Sequence, residues 1–71
     1  MTFNYSKLRG RIREVFGTQD RFAEAMGRSD TSISQKLNNK SEWTQQEINR
    51  AVEVLGIDDV DVAAYFFAQK V

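Results

Sequence analysis

Apolar positions recur along the chain at helical spacing, in five successive blocks. Leu8, Ile12, Val15 and Phe16 stand at i, i+4, i+7 and i+8, the stripe of an amphipathic helix. With Asn4 as N-cap, Phe3 and Leu8 take the two positions of a hydrophobic staple, and Gly17 closes the helix. Gly10 interrupts its interior at a cost of ~1 kcal/mol against alanine, and close packing is one use for it. Phe22, Ala23 and Met26 share one face of a second helix that Thr18 caps and Gly27 stops. Ile33 and Leu37 mark a third, with Ser29 or Asp30 at its start and the pair Asn38-Asn39 able to close it in left-handed conformation. The clearest local signal is Trp43-Thr44-Gln45-Gln46-Glu47-Ile48. Thr44 and Glu47 have the spacing of a capping box, and Trp43 and Ile48 that of a staple. Ile48, Ala51, Val52 and Leu55 continue this fourth helix to Gly56.

The last block opens with Asp58, Asp59 and Asp61, acids placed where a helix dipole favours them. Val60, Ala63, Ala64 and Phe67 fit one apolar face, and Val62 and Phe66 a neighbouring one, with Tyr65 between polar and apolar. So much apolar surface must be covered. It wraps the four-helix core, or it pairs with a second copy through Val62, Tyr65 and Phe66. The pattern as a whole predicts an all-α chain of five short helices, a single domain over residues 1–71.

The outward face of the third helix departs from the usual surface. With Ile33 and Leu37 inward, Thr31, Ser34, Gln35 and Asn38 point out. Solvated helix faces are commonly rich in Lys and Glu. Short hydroxyls and amides favour helix less but hydrogen-bond well to base edges. Gln19 falls in the first turn of the second helix, beside free N–H groups and the positive dipole end, a natural seat for phosphate.

The stretch from Thr18 to Leu37 reads T-Q-x-x-F-A-x-x-M-G-x-S-x-x-S-I-S-x-x-L. It resembles the helix-turn-helix of the phage Cro and phage repressor families, over residues 18–38, and with the flanking helices the resemblance spans nearly the whole chain. The family's first-helix alanine falls on Ala23, its turn glycine on Gly27 and its buried aliphatic on Ile33. The resemblance implies a lambda-repressor-like fold and the binding of double-stranded operator DNA. It places Ser29, Asp30, Thr31, Ser34 and Gln35 towards the DNA and gives Gln19 the role of clamping the backbone. Gln35 then suits adenine, and Thr31 a thymine methyl. Arg28, Lys36, Asn38 and Lys40 complete the expected DNA-binding set, the lysines as phosphate contacts. Asp30 departs from the commoner glutamine and counts against strong affinity for DNA. Family dimers read two half-sites about one helical turn apart, which favours a homodimer.

Composition narrows the choice. The chain has no Cys and no His, which removes thiolate chemistry, the usual general base and the commonest metal ligand. It has no Gly-rich phosphate loop, and Asp58, Asp59 and Asp61 lack the spacing of a calcium loop. A non-enzyme without cofactor or metal is expected. No apolar run approaches a membrane span and the N-terminus lacks a signal pattern, so the expectation is a cytoplasmic protein.

Net charge is zero, but it divides unevenly. Eight cations face four anions through Ser41, and two cations face six anions beyond it. The basic half contains the third helix, which suits an anionic ligand. The main expectation is therefore a phage or prophage transcriptional regulator of Cro type. The alternative, favoured by zero net charge and by Asp30, is an antirepressor or modulator that holds a phage repressor protein instead of DNA.

Overall fold

The computed structural model describes residues 2–69. It is all-helical, with α1 Ser6–Phe16, α2 Gln19–Met26, α3 Asp30–Leu37, α4 Gln45–Leu55 and α5 Val62–Phe66, the last preceded by a 3-10 turn at Asp59–Asp61. Each boundary has a local cause. The Asn4 side chain accepts from the Ser6 N–H at 2.9 Å, so it caps α1 although Tyr5 is the residue that flanks the helix. Thr18 Oγ1 accepts from Arg21 N–H, and Ser29 Oγ from Ser32 N–H. The capping box of α4 is complete: Thr44 Oγ1 accepts from Glu47 N–H at 3.1 Å, and Glu47 Oε1 from Thr44 N–H at 2.8 Å. Gly27 ends α2 at φ 69° and Gly56 ends α4 at φ 64°, conformations in which a Cβ is strained. Asn39, at φ 62°, does the same work after α3 without being glycine.

The core lies where these helices meet. Leu8 and Ile12 of α1, Phe22 and Ala23 of α2, Ile33 and Leu37 of α3, Ile48, Ala51 and Leu55 of α4, and Phe66 of α5 are buried together. Trp43 packs edge-on against Tyr5 and Phe66, at centroid distances of 6.4 and 5.4 Å. The chain ends are tied to this body as well. Phe3 bridges Gln69, Asn4 N–H donates to Ala68 O, and the Asn39 amide bonds both the N–H and the C=O of Phe3 at 2.9 Å.

Three sequence expectations are corrected. Val15 is exposed, so the stripe of α1 is Leu8 and Ile12 with Phe16 half-buried. Tyr5, not assigned to the core, is buried in it. In α5 the inward face is Phe66 with Val62 and Tyr65 half-buried, whereas Ala63, Ala64 and Phe67 are exposed and Val60 is 88% exposed. The 3-10 turn has about three residues per turn where 3.6 was assumed, so the phase carried from Val60 into α5 is displaced. Phe66 is thus core, only 1% exposed, and is withdrawn as a dimer contact. Tyr65 lies under the Lys7 ammonium, 4.9 Å from its ring centroid.

Candidate functional site

The candidate site is the start of α2, the turn at residues 27–29 and the outward face of α3. Thr31 and Gln35 are exposed and Ser34 is half-buried, so the amide-and-hydroxyl face read from the sequence faces outward. Ser29 and Asp30 are exposed at its N-terminal end. The remaining residues expected here are differently engaged.

Gln19 has one amide N–H already engaged. Its Nε2 donates to Asp30 Oδ1 at 2.9 Å, across the turn. Asp20 sits beside this contact, and the negative charge of Asp30 raises the Asp20 carboxyl above its ordinary range. The helix starts that would seat a phosphate therefore carry two neighbouring carboxylates. Asn38 is exposed, but its Oδ1 accepts from Arg9 Nη2 at 2.9 Å and its Nδ2 donates to Ser34 Oγ.

Lys36 is not at the surface. It is 8% exposed, and its Nζ lies 3.2 Å from Glu47 Oε1 and donates to Glu42 O at 3.2 Å. Lys36 is therefore withdrawn as a phosphate contact. Arg28 is half-exposed and donates through Nε to Glu47 Oε2 at 3.0 Å. Glu47, 5% exposed, gathers Thr44, Arg28 and Lys36 on one carboxylate. Burial alone would push it up. The Thr44 N–H, the Arg28 guanidinium, the Lys36 ammonium and the Thr44 hydroxyl lower it to about 2. The sequence pattern marks Glu47 as half of a capping box and carries no local sign of its two cationic partners. A signal of burial was present at Lys36 instead, which lies roughly 60° from Ile33 around the helix, close to the buried side.

Three further arginines also bond within the protein itself. Arg9 Nη2 donates to Leu37 O at 3.1 Å, Arg11 Nε to Leu55 O at 2.9 Å, and Arg50 to Ala25 O at 3.3 Å. These are last-turn carbonyls of α3, α4 and α2, which have no partner within their own helix and sit at the negative dipole end. Among the described residues only the side chains of Arg13, Arg21 and Lys40 are cations without an ion pair, hydrogen bond or ring contact. Lys40 is exposed just beyond α3. Part of the positive charge counted from the sequence is thus engaged by helix ends and by Glu47.

Elsewhere, an open hollow of about 490 Å³ is lined by Phe3, Tyr5, Trp43 and Phe67 with Lys40 and Glu42. Among the described residues no three acidic groups converge to hold a metal ion, and no helix is long and apolar enough to cross a membrane.

Comparison with known proteins defines the class. A family described as "Protein of unknown function (DUF739)" matches residues 1–69, and the chain belongs to it. Among solved structures, the chain is similar to the solution structure of the modulator of repression (MOR) of the temperate bacteriophage TP901-1 from Lactococcus lactis. The TM-score is 0.83 and the identity 48%, over 100% of this chain and 96% of that one. No match is found among curated proteins. The likeness to a modulator overturns the expectation of a Cro-like, operator-binding repressor. It favours the alternative raised from zero net charge and Asp30.

Proposed function

We propose that this chain is a modulator of phage repression that binds a repressor protein, using the start of α2 and the outward face of α3 as its contact surface. The observation that carries this reading is the Gln19–Asp30 hydrogen bond with Asp20 beside it. A face built to dock on phosphate keeps its amide and N–H donors free and surrounds them with cations. This one ties its amide to a carboxylate and adds a second carboxylate. Such a surface complements the Arg and Lys side chains of a protein partner. Thr31, Ser34 and Gln35 supply hydroxyls and an amide that both donate and accept, as a mixed polar interface requires. The likeness to the TP901-1 modulator supports the same reading.

The test is an NMR titration of the 15N-labelled protein with the unlabelled repressor protein of phage TP901-1. The expected result is saturable binding, with the largest amide shifts at Gln19, Asp20, Asp30, Thr31 and Gln35. No association, or shifts confined to other elements, would overturn the proposal.

A further inference from the structure

We infer that the buried Lys36–Glu47 ion pair is a positioning device that sets the pose of α3, and with it the contact face, relative to the start of α2. The inference rests on the reading of α3 as the contact face. Among the helices α3 packs most closely on α2. Polar tethers fasten its C-terminal half elsewhere: Lys36 reaches Glu47 and Glu42 O towards α4, and Arg9 of α1 reaches Leu37 O and Asn38. Glu47 also holds Arg28 in the turn that leads into α3. One α4 carboxylate therefore grips α3 near its end and just before its start. A helix of eight residues held at both ends by one group has little freedom to rotate or slide.

An ion pair is an uneconomical way to fill this space if stability is the only need. Removing two charges from water is expensive, and well-packed apolar residues of similar volume often do as well or better. What an ion pair adds over an apolar contact is direction. The Lys36 ammonium must meet Glu47 Oε1 and Glu42 O together, which fixes one rotation of α3. That rotation sets where Asp30, Thr31 and Gln35 stand. The Gln19–Asp30 hydrogen bond, at the opposite end of α3, reports it.

The experiment compares Lys36→Met, which keeps the buried stem without the charge, with Glu47→Gln, which keeps an acceptor for the Thr44 N–H. Gly56→Ala serves as control, because it strains the far end of α4 and touches none of the atoms of the ion pairs. Two quantities are read: the NMR shifts of the Gln19 side-chain amide in the free protein, and affinity for the TP901-1 repressor. The Lys36→Met protein is expected to keep its helix content, to move the Gln19 amide towards the position of a solvated glutamine, and to bind about tenfold more weakly. Glu47→Gln should act in the same direction, and Gly56→Ala should lower the melting temperature without changing either quantity. An unmoved Gln19 amide and unchanged affinity in a folded Lys36→Met protein would overturn the inference. So would equal movement in Gly56→Ala. A wild-type protein with no affinity for the repressor would remove the proposed function, and the Gln19 amide would still decide the positioning role.

Discussion

The side-chain amide of Gln19 donates to the carboxylate of Asp30 across the turn between α2 and α3, at 2.9 Å. This contact joins the first residues of two helices, where each helix presents free N–H groups and a positive dipole end. It holds the Asp30 side chain at the edge of the exposed face. Asp20, next to Gln19, then stands close enough to Asp30 for the two charges to repel. An incoming cation would relieve that repulsion and an incoming phosphate would increase it.

Acid should act on the opposite side of the contact face, at Glu47. The Glu47 carboxyl is lowered from 4.5 to about 2. A folded-state value below the unfolded one means the unfolded chain binds the proton more readily, so stability falls as pH falls. The contribution is fully present above about pH 4.5 and is lost as pH drops through about 2, an effect of roughly 3 kcal/mol. Thermal melts by circular dichroism across this window should show a steep decline for the wild type and a flatter one for Glu47→Gln.

Two glycine substitutions should move stability in opposite directions. Gly10 lies inside α1 with nothing within 4 Å of an added Cβ, so close packing does not explain it. Gly10→Ala should stabilise by ~0.5–1 kcal/mol and raise the melting temperature by several degrees. Gly27 has equally open surroundings but φ 69°. Gly27→Ala should destabilise by about 1 kcal/mol, with the strained backbone as the reason. Melting curves of the two variants check both signs.

Phe66→Ala should unfold the protein. A buried phenylalanine truncation costs about 3–5 kcal/mol, comparable with the whole net stability of a domain this small. Val60→Asp, at a position 88% exposed, should leave folding unchanged. Circular dichroism reads both. A folded Phe66→Ala protein would contradict its placement in the core.

The arginines that bond helix ends should matter more for folding than unpaired ones. Arg11→Ala removes a part-buried bond to Leu55 O and should cost about 1–2 kcal/mol. Arg13→Ala, with no partner among the described residues, should stay within about 0.5 kcal/mol of wild type. Urea unfolding of the two variants measures the difference.

Local signals made most of the fold legible beforehand. The caps at Thr18, Ser29 and Thr44 and the stops at Gly27 and Gly56 each act within a few residues, so spacing alone reveals them. Phe22, Ala23, Ile33 and Leu55 declared themselves by period. What depended on distance in space was hidden. Nothing near Arg9, Arg11 or Arg50 in sequence names the carbonyl it bonds 25 or more residues away. The charges of Arg9 and Arg11 therefore read as part of a basic face, although their guanidinium groups bond helix ends. Lys36 was misplaced for a related reason, its partner lying on another helix. The exposed Thr31 and Gln35 were legible from the helical wheel, but the chemistry of the corner beside them was not. It took the Gln19–Asp30 contact to show that the carboxylate and the amide, both read as DNA contacts, are joined to each other. In α5 a change of helix type shifted the phase, and no single residue marks that change.

The most direct measurement is calorimetric titration of the TP901-1 repressor protein with wild type and with the double variant Asp20→Asn, Asp30→Asn. If the acidic corner meets a cationic group of the repressor, the double variant binds about tenfold or more weakly, and the gap narrows as salt is added. Equal affinity of the two proteins at low salt would contradict the role assigned to that corner.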